Sequence, residues 1–169
     1  MHTMNDLTQL KFHVDGHIAT LTLDSPPVNA LTRALKSEKA SLGLPEVDVG
    51  LLGGCRHAMR LFSHSRLRRM MLTGYRVSGP ELYRMGIVEA CMPPGELMPA
   101  ALELAATIAS KSPVSTRLGK HTLNTIEDMS LRDGYRYEQD MTAIIGKTDD
   151  AKEAQAAFRE KRTPQFTGR

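Results

Sequence analysis

Residues 43 to 54, Gly43-Leu44-Pro45-Glu46-Val47-Asp48-Val49-Gly50-Leu51-Leu52-Gly53-Gly54, constrain this chain more than any other stretch. Pro45 fixes its own φ and biases Leu44 towards extended backbone, so the main chain at Glu46 is better defined than in an ordinary loop. A short Val and Leu run follows, and the paired glycines then open a helix from Cys55. Glycines let the backbone come close to a ligand, and the free N–H groups of a helix N-terminus favour an anion or a developing oxyanion. A carboxylate beside such a terminus is suited to acid/base work. The same residues also fit a solvated or capping glutamate at a helix start.

A chain of 169 residues is one domain on length, with enough surface to bury a core without disulfide or metal staples. Its two cysteines, Cys55 and Cys91, have neither metal-ligand spacing nor framework partners, and His57 and His64 are not one helical turn apart. No metal site is expected. No apolar run reaches the length of a membrane span, and Met1 to Leu10 lacks the basic-then-apolar pattern of a signal peptide. These features predict a protein of the reducing cytoplasm.

Charge is distributed unevenly. The net charge is only +3, but no acidic residue lies between Asp48 and Glu81, while Arg56, Arg60, Arg66, Arg68, Arg69 and Arg76 all do. Such a basic field suits a phosphate-rich partner, either a nucleotide-like group or nucleic acid. It equally fits a solvated helix face whose arginine stems cover apolar surface. With no Trp and only four Tyr and four Phe, stacking on bases is the weaker of the two functional readings.

Along the chain, Leu10, Phe12 and Val14 lead into Asp15-Gly16, and Ile18, Leu21 and Leu23 follow, which is a hairpin pattern. Asp24-Ser25-Pro26-Pro27 ends the second strand, and Val28-Asn29-Ala30-Leu31 leads into a helix through Ala34 and Leu35. Beyond Gly54 the spacing of Met59, Phe62, Leu67, Met70 and Met71 predicts helix, broken at Thr73-Gly74. Ser78-Gly79-Pro80-Glu81 has the form of a capping box before another short helix, and a brief strand follows Ile87-Val88. From Pro93-Pro94 onward the pattern is helical: Leu97, Ala101, Leu104 and Ile108 form a stripe suited to burial. Ser112-Pro113 caps the next helix, Ser130 and Asp133 the one after, with Leu131, Tyr135, Met141 and Ile145 as its apolar side. Thr148 starts the last helix, which runs to about Arg162. The division expected is a core over residues 1–92 and a helical region over 93–169.

The residues quoted for positions 43 to 54, the hairpin followed by Asn29-Ala30-Leu31, and the terminal Ala156-Ala157-Phe158-Arg159-Glu160-Lys161-Arg162 resemble the enoyl-CoA hydratase/isomerase, or crotonase, superfamily. The resemblance runs in two blocks, about residues 9 to 36 and 37 to 169. It implies an α/β fold, a truncated crotonase-like ββα spiral with a C-terminal helical trimerisation region. It also implies that Glu46, on a Pro-Glu strand, is the catalytic acid/base. Ala30, Leu31, Gly53, Gly54, Phe158 and Lys161 would contact acyl-CoA, with Asn29 holding its loop. The partners implied are an enoyl-CoA, whose CoA moiety takes the place of any separate cofactor, and further copies of the chain in a trimer or hexamer. The reaction class is water addition to an enoyl thioester, or a related isomerisation, of the kind used in fatty acid degradation.

One part of the family pattern has no counterpart here. Leu35 to Ser41 passes directly to Gly43-Leu44-Pro45-Glu46, where the family has several βα units carrying the two oxyanion N–H donors and a second catalytic glutamate. An internal deletion with impaired hydration is therefore expected. Two other roles fit the same residues: a catalytically silent partner subunit, and an anion or nucleic-acid binder using the arginines.

Overall fold

A computed structural model describes residues 10–23 and 35–169. The chain readings at Asp24 to Pro27 and at Asn29 fall outside those residues. The described part is mixed α/β, mostly helical with short strands, in keeping with the α/β class expected. No helix among the described residues is long and apolar enough to cross a membrane.

Strands β1 (Leu10–Asp15) and β2 (Ile18–Leu23) pair in a hairpin whose turn includes Gly16. Gly16 has φ +55°, a left-handed conformation that glycine adopts without a Cβ penalty. Strand β3 (Leu35–Ser37) follows. Most of the helix expected up to Leu35 lies outside the described residues, but at Leu35 itself the chain is strand, because Leu35, Lys36 and Ser37 lie parallel to Ala90, Cys91 and Met92 of β6 (Ala90–Met92). A tertiary ladder overrides local helix propensity at so short a segment. The ladder continues past β3, where Glu38 N–H donates to the Met92 carbonyl at 3.0 Å. Strand β4 (Ser41–Leu42) runs antiparallel to β5 (Val77–Ser78).

The chain forms two compact units. The first, Met1–His13 with Thr20–Glu103, has an apolar centre of Ala58, Phe62, Leu67, Met70, Val77, Leu82 and Val88. Helix α1 (Cys55–Ala58) is a single turn, and α2 (His64–Thr73) buries Leu67 and Met70, one turn apart. Gly74 ends α2 at φ +64°. The predicted box at α3 (Gly79–Arg84) is complete: Ser78 Oγ accepts from Glu81 N–H, and a Glu81 carboxylate oxygen accepts from Ser78 N–H at 3.0 Å. A Cβ on Gly79 would sit 2.4 Å from the Ser37 carbonyl oxygen, so only glycine lets β3 pass there.

The second unit comprises Val14–Ala19 and Leu104–Arg169. Helix α4 (Pro94–Ala109) crosses into it from the first, and α5 (Pro113–Ile126), α6 (Leu131–Ile145) and α7 (Asp149–Glu160) lie wholly within it. Ser112, Ser130 and Thr148 cap α5, α6 and α7 through their hydroxyl oxygens, as their positions predicted. Gly134 brings α6 against α5: a Cβ there would lie 3.4 Å from that of Ile126.

Two apolar stripes depart from expectation. No residue of α4 is buried; Leu97 and Ala101 are half-buried, while Leu104 and Ile108 are exposed. On α6, Met141 and Ile145 are half-buried but Leu131 and Tyr135, in its first turns, are exposed. Helical spacing marks an apolar face without supplying a surface to cover it.

Candidate functional site

Glu46 lies in a 3₁₀ helix, Pro45–Val49, rather than on the expected strand. Pro45 sits at its start, where the missing N–H costs nothing, and Leu44 before it has φ −124° and ψ 77°, outside the helical region that a following proline disfavours. Gly50 closes the segment at φ +72° and donates its N–H to the Val47 carbonyl at 3.2 Å; Leu51 N–H donates to the Glu46 carbonyl at 2.8 Å. These turn bonds outcompete a strand, since no ladder partner meets residues 45–49 among the described residues.

This bend brings the Glu46 side chain onto Gly53. A Cβ on Gly53 would lie 3.1 Å from Glu46 Oε1 and 3.2 Å from its Cγ, so the glycine leaves the space that the carboxylate uses. The other carboxylate oxygen, Oε2, is buried and has no hydrogen-bond partner among the described residues. A buried acceptor without a partner is costly, and such an atom is usually explained by strain, a catalytic role or a bound molecule. Gly54, at φ +69°, is the N-cap of α1, with a Leu44 methyl 2.9 Å from where its Cβ would be. The structure thus brings Glu46, Gly53 and Gly54 together, as the sequence suggested, although the following helix is only one turn long.

Sequence reasoning did not find one support of this segment. The Asp48 carboxylate approaches Gly74, whose Cβ would fall 2.8 Å from Asp48 Oδ2, so the 3₁₀ helix is fitted against the end of α2. The left-handed glycine after α2 was the only signal for it. Elsewhere in the first unit, Glu81 accepts from Tyr75 Oη at 2.8 Å and lies 3.6 Å from Arg66 Nη1. The Ser78 N–H, then the Tyr75 and Ser78 hydroxyls, hold the Glu81 carboxyl down to about 2 from an ordinary value of 4.5. Arg69 stacks its guanidinium 3.8 Å above the Tyr75 ring, and Arg66 lies 5.7 Å from the ring centre. Arg68 donates to the His64 carbonyl at 3.4 Å. Arginines 66, 68 and 69 of the basic field therefore have structural partners within the first unit.

Phe158 and Lys161 lie in the second unit, at the end of α7. Phe158 is 86% exposed, and Lys161 caps the helix in the left-handed region at φ +54°. Arg162 beside them makes a paired contact with Glu153, with Nη2 2.9 Å from Oε2. That contact, followed by the Gln165 N–H, holds the Glu153 carboxyl at about 2.

The enoyl-CoA hydratase/isomerase family profile matches residues 33–169, which includes the Glu46 segment and every helix among the described residues. The chain belongs to the enoyl-CoA hydratase/isomerase family. It is 30% identical over 135 residues to the 2,3-dehydroadipyl-CoA hydratase of Escherichia coli, covering 78% of this chain and 53% of the relative. It is 31% identical over 139 residues to the carnitinyl-CoA dehydratase of Salmonella arizonae, again over 78% and 53%. Among solved structures, the enoyl-CoA hydratase of Bacillus anthracis superposes with a TM-score of 0.75 at 33% identity, over 80% of this chain and 54% of that one. The chain thus spans about half the length of the enoyl-CoA hydratase relatives it matches. Ala30 and Leu31, which the family resemblance assigns to CoA, lie outside the described residues.

Proposed function

We propose that this chain is an acyl-CoA-binding, enoyl-CoA hydratase-like protein of the reducing cytoplasm in which hydration is impaired. The observation that carries the reading is the Glu46 carboxylate, seated against Gly53 with a buried oxygen free to accept. Water addition to an enoyl thioester needs a carboxylate to orient water and move its proton, and Glu46 supplies one whose Oε2 has no other partner among the described residues. Gly53 and Gly54 keep the main chain bare beside it, and Ala30, Leu31, Phe158 and Lys161 are the remaining candidates for the CoA thioester.

Addition at the β carbon places negative charge on the thioester oxygen, and two oriented N–H donors must stabilise it. In the family these come from βα units before the Pro-Glu segment. Here β3 is followed by the two-residue β4 and then directly by the 3₁₀ helix. Losing one such donor costs roughly 10²–10³ in rate. Hydration of crotonyl-CoA should therefore run far below that of an intact family member assayed beside it; a rate within tenfold of that member contradicts the impairment. Residual turnover should fall in Glu46→Gln without loss of fold, and an unchanged rate removes Glu46 from the reaction.

We further propose that the chain works as a homotrimer or hexamer. The exposed Leu131, Tyr135 and Phe158 favour a neighbouring subunit as their cover. Light scattering during size exclusion at several concentrations tests this, and a one-chain mass throughout refutes it.

A further inference from the structure

The second unit contains an open cleft of about 690 Å³ whose lining includes His17, Ile18, Ala105, Ile108, Lys111 and Phe166. That volume lies within the range of small-molecule sites, roughly 300–1,000 Å³. Its chemistry is asymmetric. Ile18, Ala105, Ile108 and Phe166 offer apolar contact, Lys111 brings a positive charge, and no Asp or Glu is among the lining residues.

One wall is the returning tail, and that wall is fixed in place. Thr167 N–H donates to Asp150 Oδ1 at 2.8 Å, and Gln165 N–H donates to Glu153 Oε1 at 2.8 Å. Asp150 is itself buried and accepts from Ser112 Oγ at 2.8 Å. The two carboxylates that hold the tail thus face hydrogen-bond donors, and neither is among the lining residues, where Lys111 brings the charge a ligand would meet. A preformed wall also lowers the ordering cost of binding.

We propose that this cleft binds an amphipathic monoanion, an unbranched aliphatic carboxylate whose chain lies along Ile18, Ala105, Ile108 and Phe166 and whose head group pairs with Lys111. The site goes beyond the acyl-CoA reading, since it uses neither Glu46 nor any residue assigned to CoA. Calorimetric titration of the full chain with sodium decanoate tests it. Saturable binding at one site is expected, weakened roughly tenfold by Lys111→Glu and by exchange of decanoate for 1-decanol, as loss of one charge-assisted contact implies. Ile108→Asp, at an exposed and therefore tolerant position, should abolish binding while circular dichroism stays unchanged. Absence of saturable binding to the unmodified chain overturns the proposal, and so does equal affinity for 1-decanol. Affinity unchanged in both variants does the same. Displacement of decanoate by crotonyl-CoA would show a shared site and refute a separate one, whereas retention in its presence supports the proposal whether or not the chain hydrates enoyl-CoA.

Discussion

The two units are held by different physics. In the first, Met70, Val77 and Leu82 are completely removed from solvent, and they share a centre with Leu67 of α2 against which Leu42 of β4, Leu44 and Met71 pack. In the second, the buried residues include Asp150, Ser112, Thr122, Gly134 and Ala157, so polar and small side chains replace the large apolar ones. Its large apolar side chains point outward instead: Leu123 is 70% exposed, Leu131 92% and Phe158 86%. Amphipathic helices acquire a core only when something lies opposite them. The first unit supplies that surface from its own chain, and the second supplies hydrogen bonds at Asp150.

Substitutions should separate these two modes. The largest effect is expected from Met70→Ala, which opens a cavity at the largest fully buried side chain of the first unit and should cost about 2–5 kcal/mol in urea unfolding. A loss below 1 kcal/mol would show that this centre does not hold the unit. A smaller and pH-dependent loss is expected from Asp150→Asn. Burial opposes ionisation of Asp150, but hydrogen bonds from Ser112, Thr167, Gly168 and Arg169 outweigh it and hold the carboxyl below its ordinary value of 3.8. A lowered folded pKa means stabilisation that is complete above 3.8 and disappears as pH falls through the folded value. The melting temperatures of the parent and the variant should therefore differ most near neutrality and converge in acid; a gap that widens below pH 3.8 contradicts the arrangement. Glu81 in the first unit should act alike between pH 4.5 and about 2. The smallest effect is expected from Leu131→Ser, within about 0.5 kcal/mol for an isolated chain. If light scattering shows the mass falling in that variant, the exposed face is an interface between copies.

The elements most legible in the sequence were those fixed by short-range chemistry. Ser78 with Glu81, Ser112 before Pro113, Ser130 with Asp133 and Thr148 all cap where their side chains can reach the next turn. Gly74 ends its helix for a similarly local reason. The association of Glu46 with Gly53 was also legible, since Pro45 and the glycines act within a few residues of each other. What escaped depends on distant partners. Leu35 became a strand because of Ala90, and Pro45 to Val49 became a 3₁₀ helix with no ladder to join. The α4 stripe predicted burial from spacing alone, and spacing contains no information about what lies opposite. Asp150 lies in the first turn of α7, and nothing local there foretells its bonds to Ser112, Thr167 and Gly168, which reach from residue 112 to residue 168.

Those bonds also impose an order in time. Asp150 N–H donates to the Arg169 carbonyl, and Asp150 Oδ1 waits for the Thr167 and Gly168 N–H groups, so its final environment exists only once residues 167 to 169 have been synthesised. The unit it belongs to also includes Val14–Ala19, made long before them. On a ribosome, these two parts of the unit are separated by the synthesis of the intervening segment Thr20–Glu103. Until the tail is made, the helices of this unit must rely on their own capping residues to persist.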